Sequence, residues 1–237
     1  MPQSFFIWNG ADCRSKGIHL RGPAPIIRAE ERVRHVQIPG VSGDLTETEG
    51  TNIYNSYIQT ISMVVRGGYR VREVYQWLRG AGYVTFSGEP DRRQKARVIG
   101  AITLNRISRN LDNWAGEVQF YCQPLKELLR EKTTEVTSSG TAVRNSGDVD
   151  ERPLIKLTAS GTSALLTVGS SSLAITGLTS GQKIWIDSET MEAVNEAKTE
   201  SLTAATAGDF PVLQPGSNTI TGTGWSRLDI MRRERFL

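Results

Sequence analysis

The sequence predicts a mainly β protein in two parts: an α+β N-terminal domain with one helix, then a C-terminal β-sandwich. Three observations predict it. Residues 54–66 alternate, so Tyr57, Ile61, Met63 and Val65 share one face of a long strand while Ile58 and Val64 take the other. Arg70 to Arg79 reads as a short amphipathic helix, with Val71, Val74, Tyr75 and Leu78 at i, i+3, i+4 and i+7. From residue 154 onward, short β-prone runs recur between turn signals without a long helical pattern.

The first domain opens on the aromatic, β-prone residues 4–8, closed by the turn signal Asn9-Gly10. Pro23 and Pro25 punctuate an extended segment that leads into a strand at Arg32–Ile38. That strand stops at Pro39-Gly40, crosses a tight polar bend and restarts at Leu45. Proline cannot donate to a sheet ladder, and glycine accepts backbone angles that other residues avoid. Gly67-Gly68 ends the 54–66 strand. Gly80 sits where a helix C-terminal glycine belongs. Trp77 lies off the apolar stripe, either partly buried or at an interface. Tyr83–Phe86, Ala96–Ile107 and Trp114–Tyr121 read as strands, the first two flanking a polar tip at Glu89–Lys95. Pro124–Leu129 reads as a short helix leaving the domain.

Residues 132–150 are rich in Ser, Thr and Gly, which sets the expected domains at 1–132 and 133–237. The first strand of the second domain is expected near Ala142-Val143. Further strands are expected at Leu154–Leu157, Leu165–Val168, Leu173–Thr176, Lys183–Ile186, Glu192–Val194, Asn218–Ile220 and Leu228–Met231. Gly169-Ser170-Ser171-Ser172 reads as a hairpin loop, because apolar residues flank it at period two.

At 237 residues with 38% hydrophobic and 22% charged content, the chain suits a soluble globular protein. No apolar run approaches the ~20 residues that span a bilayer. Met1-Pro2-Gln3-Ser4 lacks a basic start followed by an apolar core, so no signal peptide is expected. The net charge of +3 is too small by itself to indicate nucleic-acid binding. It is unevenly spread: residues 1–132 carry 19 Lys+Arg against 13 Asp+Glu, and residues 133–237 carry 9 against 12. A basic first half suits an acidic neighbour, DNA, or simply solvated hairpin tips.

Catalytic constellations are not found. Gly40-Val41-Ser42-Gly43 has the wrong spacing for a nucleophile elbow, and Gly80-Ala81-Gly82 lacks the third glycine of a dinucleotide fingerprint. His19 and His35 stand alone in β-rich context. Cys13 and Cys122 are far apart, with no Cys-x-x-Cys, so no metal site, cofactor site or catalytic residue is expected; the pair reads as buried thiols in a reducing compartment. Asp148, Asp150 and Glu151, like Asp187 and Glu189, read as turns rather than cation sites. Arg232-Arg233-Glu234-Arg235 reads as a solvated end or a subunit contact. Trp185 shares its strand with Ile184 and Ile186 but takes the opposite face, so two β-branched residues claim the core and leave the tryptophan partly exposed. With Trp225, in the loop after Gly222-Thr223-Gly224, it marks a peripheral partner surface or, as the alternative function, a carbohydrate-binding β-sandwich module.

Several motifs occur in a telling order. Trp8-Asn9-Gly10 precedes Gly17-Ile18; a charged strand ends Ile38-Pro39-Gly40 and resumes Gly43-Asp44-Leu45; Phe120 to Leu125 closes the first half. Asn145-Ser146-Gly147 precedes Pro153-Leu154-Ile155-Lys156, Ile184 to Asp187 follows, and Phe210-Pro211-Val212-Leu213-Gln214-Pro215-Gly216-Ser217-Asn218 comes near the end. Over nearly its whole length the chain resembles the distal tail protein family of long-tailed phages. The family commonly has Arg after the Gly of the Ile-Pro-Gly motif, where this chain has Val41, so no salt bridge is carried over there.

The resemblance implies a first domain like a tail-tube subunit that forms a hexameric ring, and a galectin-like β-sandwich outside it. It implies a structural virion protein, not an enzyme, at the tail tip of a siphophage, assembled in the bacterial host cytoplasm. Its implied partners are itself, the tail-tube protein, a tail-associated hub protein and receptor-binding or baseplate proteins. DNA would only pass through the lumen, and no membrane is involved. The 38–56 segment would then be an arm that orders on the neighbouring subunit, because its Gly/Thr/Asn-rich middle cannot build a core alone. The subunit-interface candidates are Pro39, Gly40, Gly43, Asp44, Leu45, Tyr54 and Trp77.

Overall fold

The structure is a computed structural model that describes residues 4–107 and 112–237, apart from the Tyr69 side chain. The opening Met1–Gln3, part of the stretch in which no signal peptide is read, lies outside the described residues. The chain divides into two compact units, one running through Leu129 and the other from Arg130 to Phe236. Both are built from antiparallel strands, and among the described residues there is one α-helix.

The first unit contains β1 (Phe6–Trp8), β2 (Ala11–Asp12), β3 (Ile18–Leu20), β4 (Val33–Gln37), β5 (Asp44–Thr48), β6 (Tyr57–Arg66), α1 (Val71–Trp77), β7 (Ala81–Phe86), β8 (Arg92–Ile99), β9 (Leu104–Arg106) and β10 (Asn113–Leu128). Its main sheet runs β2-β1-β7-β8-β10-β6-β3, with β9 also on β10. On β6, Ile61, Met63 and Val65 are buried while Ile58 is 52% exposed, the alternation the sequence predicts. The core gathers Phe6, Trp8, Phe86 and Phe120, whose rings meet edge-on or tilted at 5.4–5.8 Å, with Val74 of α1 and Leu78 just past its end packed into it.

The second unit contains β11 (Thr133–Val136), β12 (Thr141–Asn145), β13 (Leu154–Ala159), β14 (Ser163–Val168), β15 (Ser171–Thr176), β16 (Lys183–Asp187), β17 (Glu192–Asn195), β18 (Thr206–Gly208), β19 (Gly216–Thr223) and β20 (Trp225–Met231). Two sheets, β11-β20-β13-β16-β17 and β12-β19-β14-β15-β18, share one apolar core of alternating Ile, Leu and Val.

Several expectations are corrected. Pro124–Leu129 is not a helix: β10 continues to Leu128, with a register shift between Cys122 and Lys126 that absorbs Pro124. The tip at Glu89–Lys95 is shorter than expected, since β8 starts at Arg92, and the strand expected over Ala96–Ile107 is split into β8 and β9. The first strand of the second unit is β11, ahead of Ala142-Val143, because Thr133–Val136 pairs with β20. As expected, Cys13 and Cys122 are free, buried thiols.

Candidate functional site

The hairpin of β4 and β5 is the place where this chain leaves structure uncovered. Five pairs, from Val33↔Thr48 to Gln37↔Asp44, form its ladder, and it makes a two-stranded sheet of its own. Pro39 and Gly40 take the turn that their chemistry favours: Val41 N–H donates to Ile38 O at 3.1 Å, and Gly40 has φ +82°. Gly43, at φ +90°, leads into Asp44. No residue from 30 to 58 is buried. Val41 and Leu45 are 61% and 49% exposed, and Ile38 and Ile53 also face water. An isolated two-stranded hairpin is marginal in water, and this one leaves apolar side chains exposed, the mark of a candidate interaction surface.

Its root is fixed. Arg32 N–H donates to Ile53 O at 2.9 Å, Asn55 N–H to Glu30 O at 2.8 Å, and Glu49 N–H to Arg32 O at 3.3 Å. Tyr54 forms an isolated bridge with Glu31, and Arg32 Nε donates to Asn55 Oδ1 at 3.1 Å. The preceding strap, Arg21 to Ala29, is pinned to the sheet. Arg21 N–H donates to Ser62 O, buried Gln59 donates to Pro25 O at 2.8 Å, and Lys126 Nζ donates to Ile27 O at 3.1 Å. Lys126 is nearly fully buried and pairs with Glu89 at 2.6 Å. The cavity under this strap is about 20 Å³, room for one water and not for a substrate.

A second open surface lies on the solvent face of the main sheet. Ala81, Arg97, Tyr121 and Ile58 stand side by side across β7, β8, β10 and β6, and Lys95 stands opposite Tyr83. Tyr121 and Ile58 are 41% and 52% exposed. Arg93 lies over the Tyr83 ring at 4.5 Å. Residues of β7, β8 and β10, among them Ala81, Tyr83, Lys95, Arg97 and Tyr121, line a shallow open groove of about 690 Å³ here.

The remaining candidates are internally engaged. Trp77 stacks on Phe6 at 5.7 Å and packs against the core. Trp185 lies under Lys156 and Lys198, at 5.2 and 4.8 Å, and donates to Glu196 O, so its ring is not an open sugar platform. Ile184 and Ile186 take the core, as expected. Trp225 is 8% exposed inside the core, not in an open loop: it is the first residue of β20.

The terminal charge run is not a solvated end. Arg232 is buried, and its guanidinium meets Glu151, fully buried, at 2.6 Å and Glu234 at 3.1 Å. Asp187 receives two hydrogen bonds from Arg233, at 2.7 and 2.9 Å, and Glu189 pairs with Arg235. Burial alone would raise the Asp187 pKa. The Arg233 hydrogen bonds and charge, with the Glu189 N–H, outweigh it and hold the carboxyl below the usual 3.8. Burial pushes the Cys13 thiol up to about 11 and the Cys122 thiol up to about 12, so neither is a poised nucleophile.

Sequence reasoning reached the hairpin through Pro39, Gly40, Gly43, Asp44, Leu45 and Tyr54. It missed the anchors Gln59, Glu89 and Lys126, whose roles depend on partners far along the chain. It also placed Lys95 on a polar tip, whereas Lys95 lies within β8. Period-two alternation through Gln94-Lys95-Ala96-Arg97 was the available signal.

The architecture of the chain matches that of a solved protein over essentially its full length. The chain is similar to the crystal structure of SPP1 Dit (gp 19.1), described as a paradigm of the hub adsorption apparatus in phages that infect Gram-positive bacteria. The TM-score is 0.80 over 99% of both chains, at 20% sequence identity. At that identity the likeness establishes the fold. No protein-family model and no curated protein matches the chain.

Proposed function

We propose that this chain is a structural virion protein, a distal tail protein that forms a hexameric ring joining the phage tail tube to the tail-tip or baseplate attachment apparatus. The observation that carries the reading is the shared fold with a hub adsorption protein along essentially the full length of both chains. The uncovered hairpin supports it, because a ring of identical subunits closes heterologously and needs two different surfaces on each copy. In this reading residues 1–132 form the ring and 133–237 sit outside as a galectin-like peripheral domain. The protein is not an enzyme and uses no metal or cofactor. It meets tail-tube and tail-tip hub proteins, then receptor-binding or baseplate proteins, and only passing DNA in the lumen.

Light scattering with negative-stain imaging of the same fraction tests this. The expected result is a six-fold ring with an open centre and the mass of six 26.1 kDa chains. A chain that stays monomeric both alone and with its tail-tube protein would overturn it.

A further inference from the structure

The two edges of β6 are covered differently. On one side β10 pairs with it over its whole length, from Tyr57↔Cys122 to Arg66↔Asn113. On the other side β3 reaches only Met63 to Val65. From Tyr57 to Ser62 that second edge has no strand beside it among the described residues, and the strap of residues 21–29 lies over it instead. The strap does not join the sheet. Pro23 and Pro25 have no N–H to give, and a groove of about 280 Å³ opens between residues 20–25 and 60–62. Ser62 O faces the strap, and by the two-residue period so do the backbone groups of Thr60 and Ile58. A proline-bearing loop over such an edge keeps it from pairing with other strands.

What holds the strap down is polar and sparse. From residue 21 to residue 56 only Ala24 and Ala29 are buried. Arg21 N–H donates to Ser62 O at 3.0 Å, Gln59 Nε2 to Pro25 O at 2.8 Å and Lys126 Nζ to Ile27 O at 3.1 Å. The other acceptors of the buried Lys126 ammonium are Glu89 Oε2 at 2.6 Å and O of Leu237, which groups with the first unit, at 3.2 Å. All three of its N–H groups are therefore committed. The hydrogen bonds at the hairpin root join residues of the 30–55 segment to one another, so they do not tie it to the sheet.

We propose that the strap is a releasable guard over the β6 edge, held shut by Lys126, and that it lifts together with the β4–β5 hairpin while the main sheet stays folded. A segment that buries two alanines opens more readily than strands that bury Met63, Val65 and Phe120. Shut, the guard denies the edge from Ile58 to Ser62 to any incoming strand. Open, it uncovers that edge along with Gln59 and Lys126. Such a release belongs to a single chain and stands apart from the ring reading.

Native-state trypsin digestion of the full chain reads the release as the initial rate of cleavage after Arg28. A reversible lock is the double variant Ile26→Cys/Gly88→Cys. A Cβ on Gly88 would lie 2.9 Å from Ile26 Cγ1, which brings the two Cβ atoms within disulfide range, and the native cysteines are buried. The oxidised lock should be cleaved at least tenfold more slowly than its reduced form. Lys126→Met should be cleaved at least tenfold faster than wild type, and wild-type cleavage should hardly respond to urea below the unfolding transition. Cleavage that climbs with urea as steeply as global unfolding, or that is equal in the oxidised and reduced lock, would overturn the guard. Unchanged cleavage in a folded Lys126→Met would overturn the latch; if that variant fails to fold, Gln59→Leu, which removes the donor to Pro25, takes its place with the same expected gain.

Discussion

Two hairpins in this chain differ in what they bury. In β14–β15, Ala164, Leu166, Val168, Leu173 and Ile175 are all at most 4% exposed, and the outward residues are Ser, Thr, Leu and Ala. In β4–β5 no residue is buried at all, though the ladder is of similar length. Backbone pairing alone therefore does not distinguish them. The first is held by its own sandwich; the second has a well-fixed root and turn, and its side chains stay exposed. The contrast separates residues that make the fold from residues that use it.

The largest expected effect lies on the self-sufficient side. Arg232 is enclosed with Glu151 and Glu234, and Arg233 N–H also donates to Glu151 at 2.7 Å. Arg232→Ala leaves two buried carboxylates facing one another without their shared cation. Urea unfolding of the second unit should show a loss of about 3–5 kcal/mol. A loss under 1 kcal/mol would mean that the network is not buried in solution.

The sharpest form of the comparison is a matched pair. Leu166→Ala, at 1% exposure in β14, should cost about 2–5 kcal/mol by the same measurement. Leu45→Ala, at 49% exposure in β5, should cost no more than about 0.5 kcal/mol in the monomer. It should nevertheless shift assembly toward smaller species in light scattering. Equal costs at the two positions would show that the hairpin is packed within its own chain. Deleting residues 43–52, which removes β5, should abolish rings while leaving the second unit's unfolding transition unchanged.

How much of this was legible in sequence follows the same divide. Strands with local alternation, such as β6, β13 and β16, declared themselves, and so did the Pro39-Gly40 turn. β11 was read as linker because Thr133-Thr134-Glu135-Val136 offers one apolar residue; its strand character comes from β20, some 90 positions away. The end of β10, expected as a short helix at Pro124–Leu129, is strand because its partner β8 continues the ladder past the proline. Arg232 reads in sequence as part of a solvated end or a subunit contact, and Lys126 carries no signal of its own; only their distant partners Glu151, Glu89 and Ile27 bury them. The hairpin was legible for the opposite reason: its conformation is local, and its lack of apolar alternation is itself visible in the sequence.

The smallest expected effect is on acid stability. Asp187 has a folded pKa below its unfolded value, so the unfolded chain binds the extra proton as pH falls. The contribution of the Arg233 pair is therefore complete well above pH 3.8 and is lost as pH drops through the depressed folded pKa. Asp187→Asn should flatten the decline in stability below about pH 4 and slightly lower stability at neutral pH, because Arg233 then keeps only Glu189. An acid limb that Asp187→Asn leaves unchanged would mean that the Arg233 pair contributes nothing to folding stability as the pH falls.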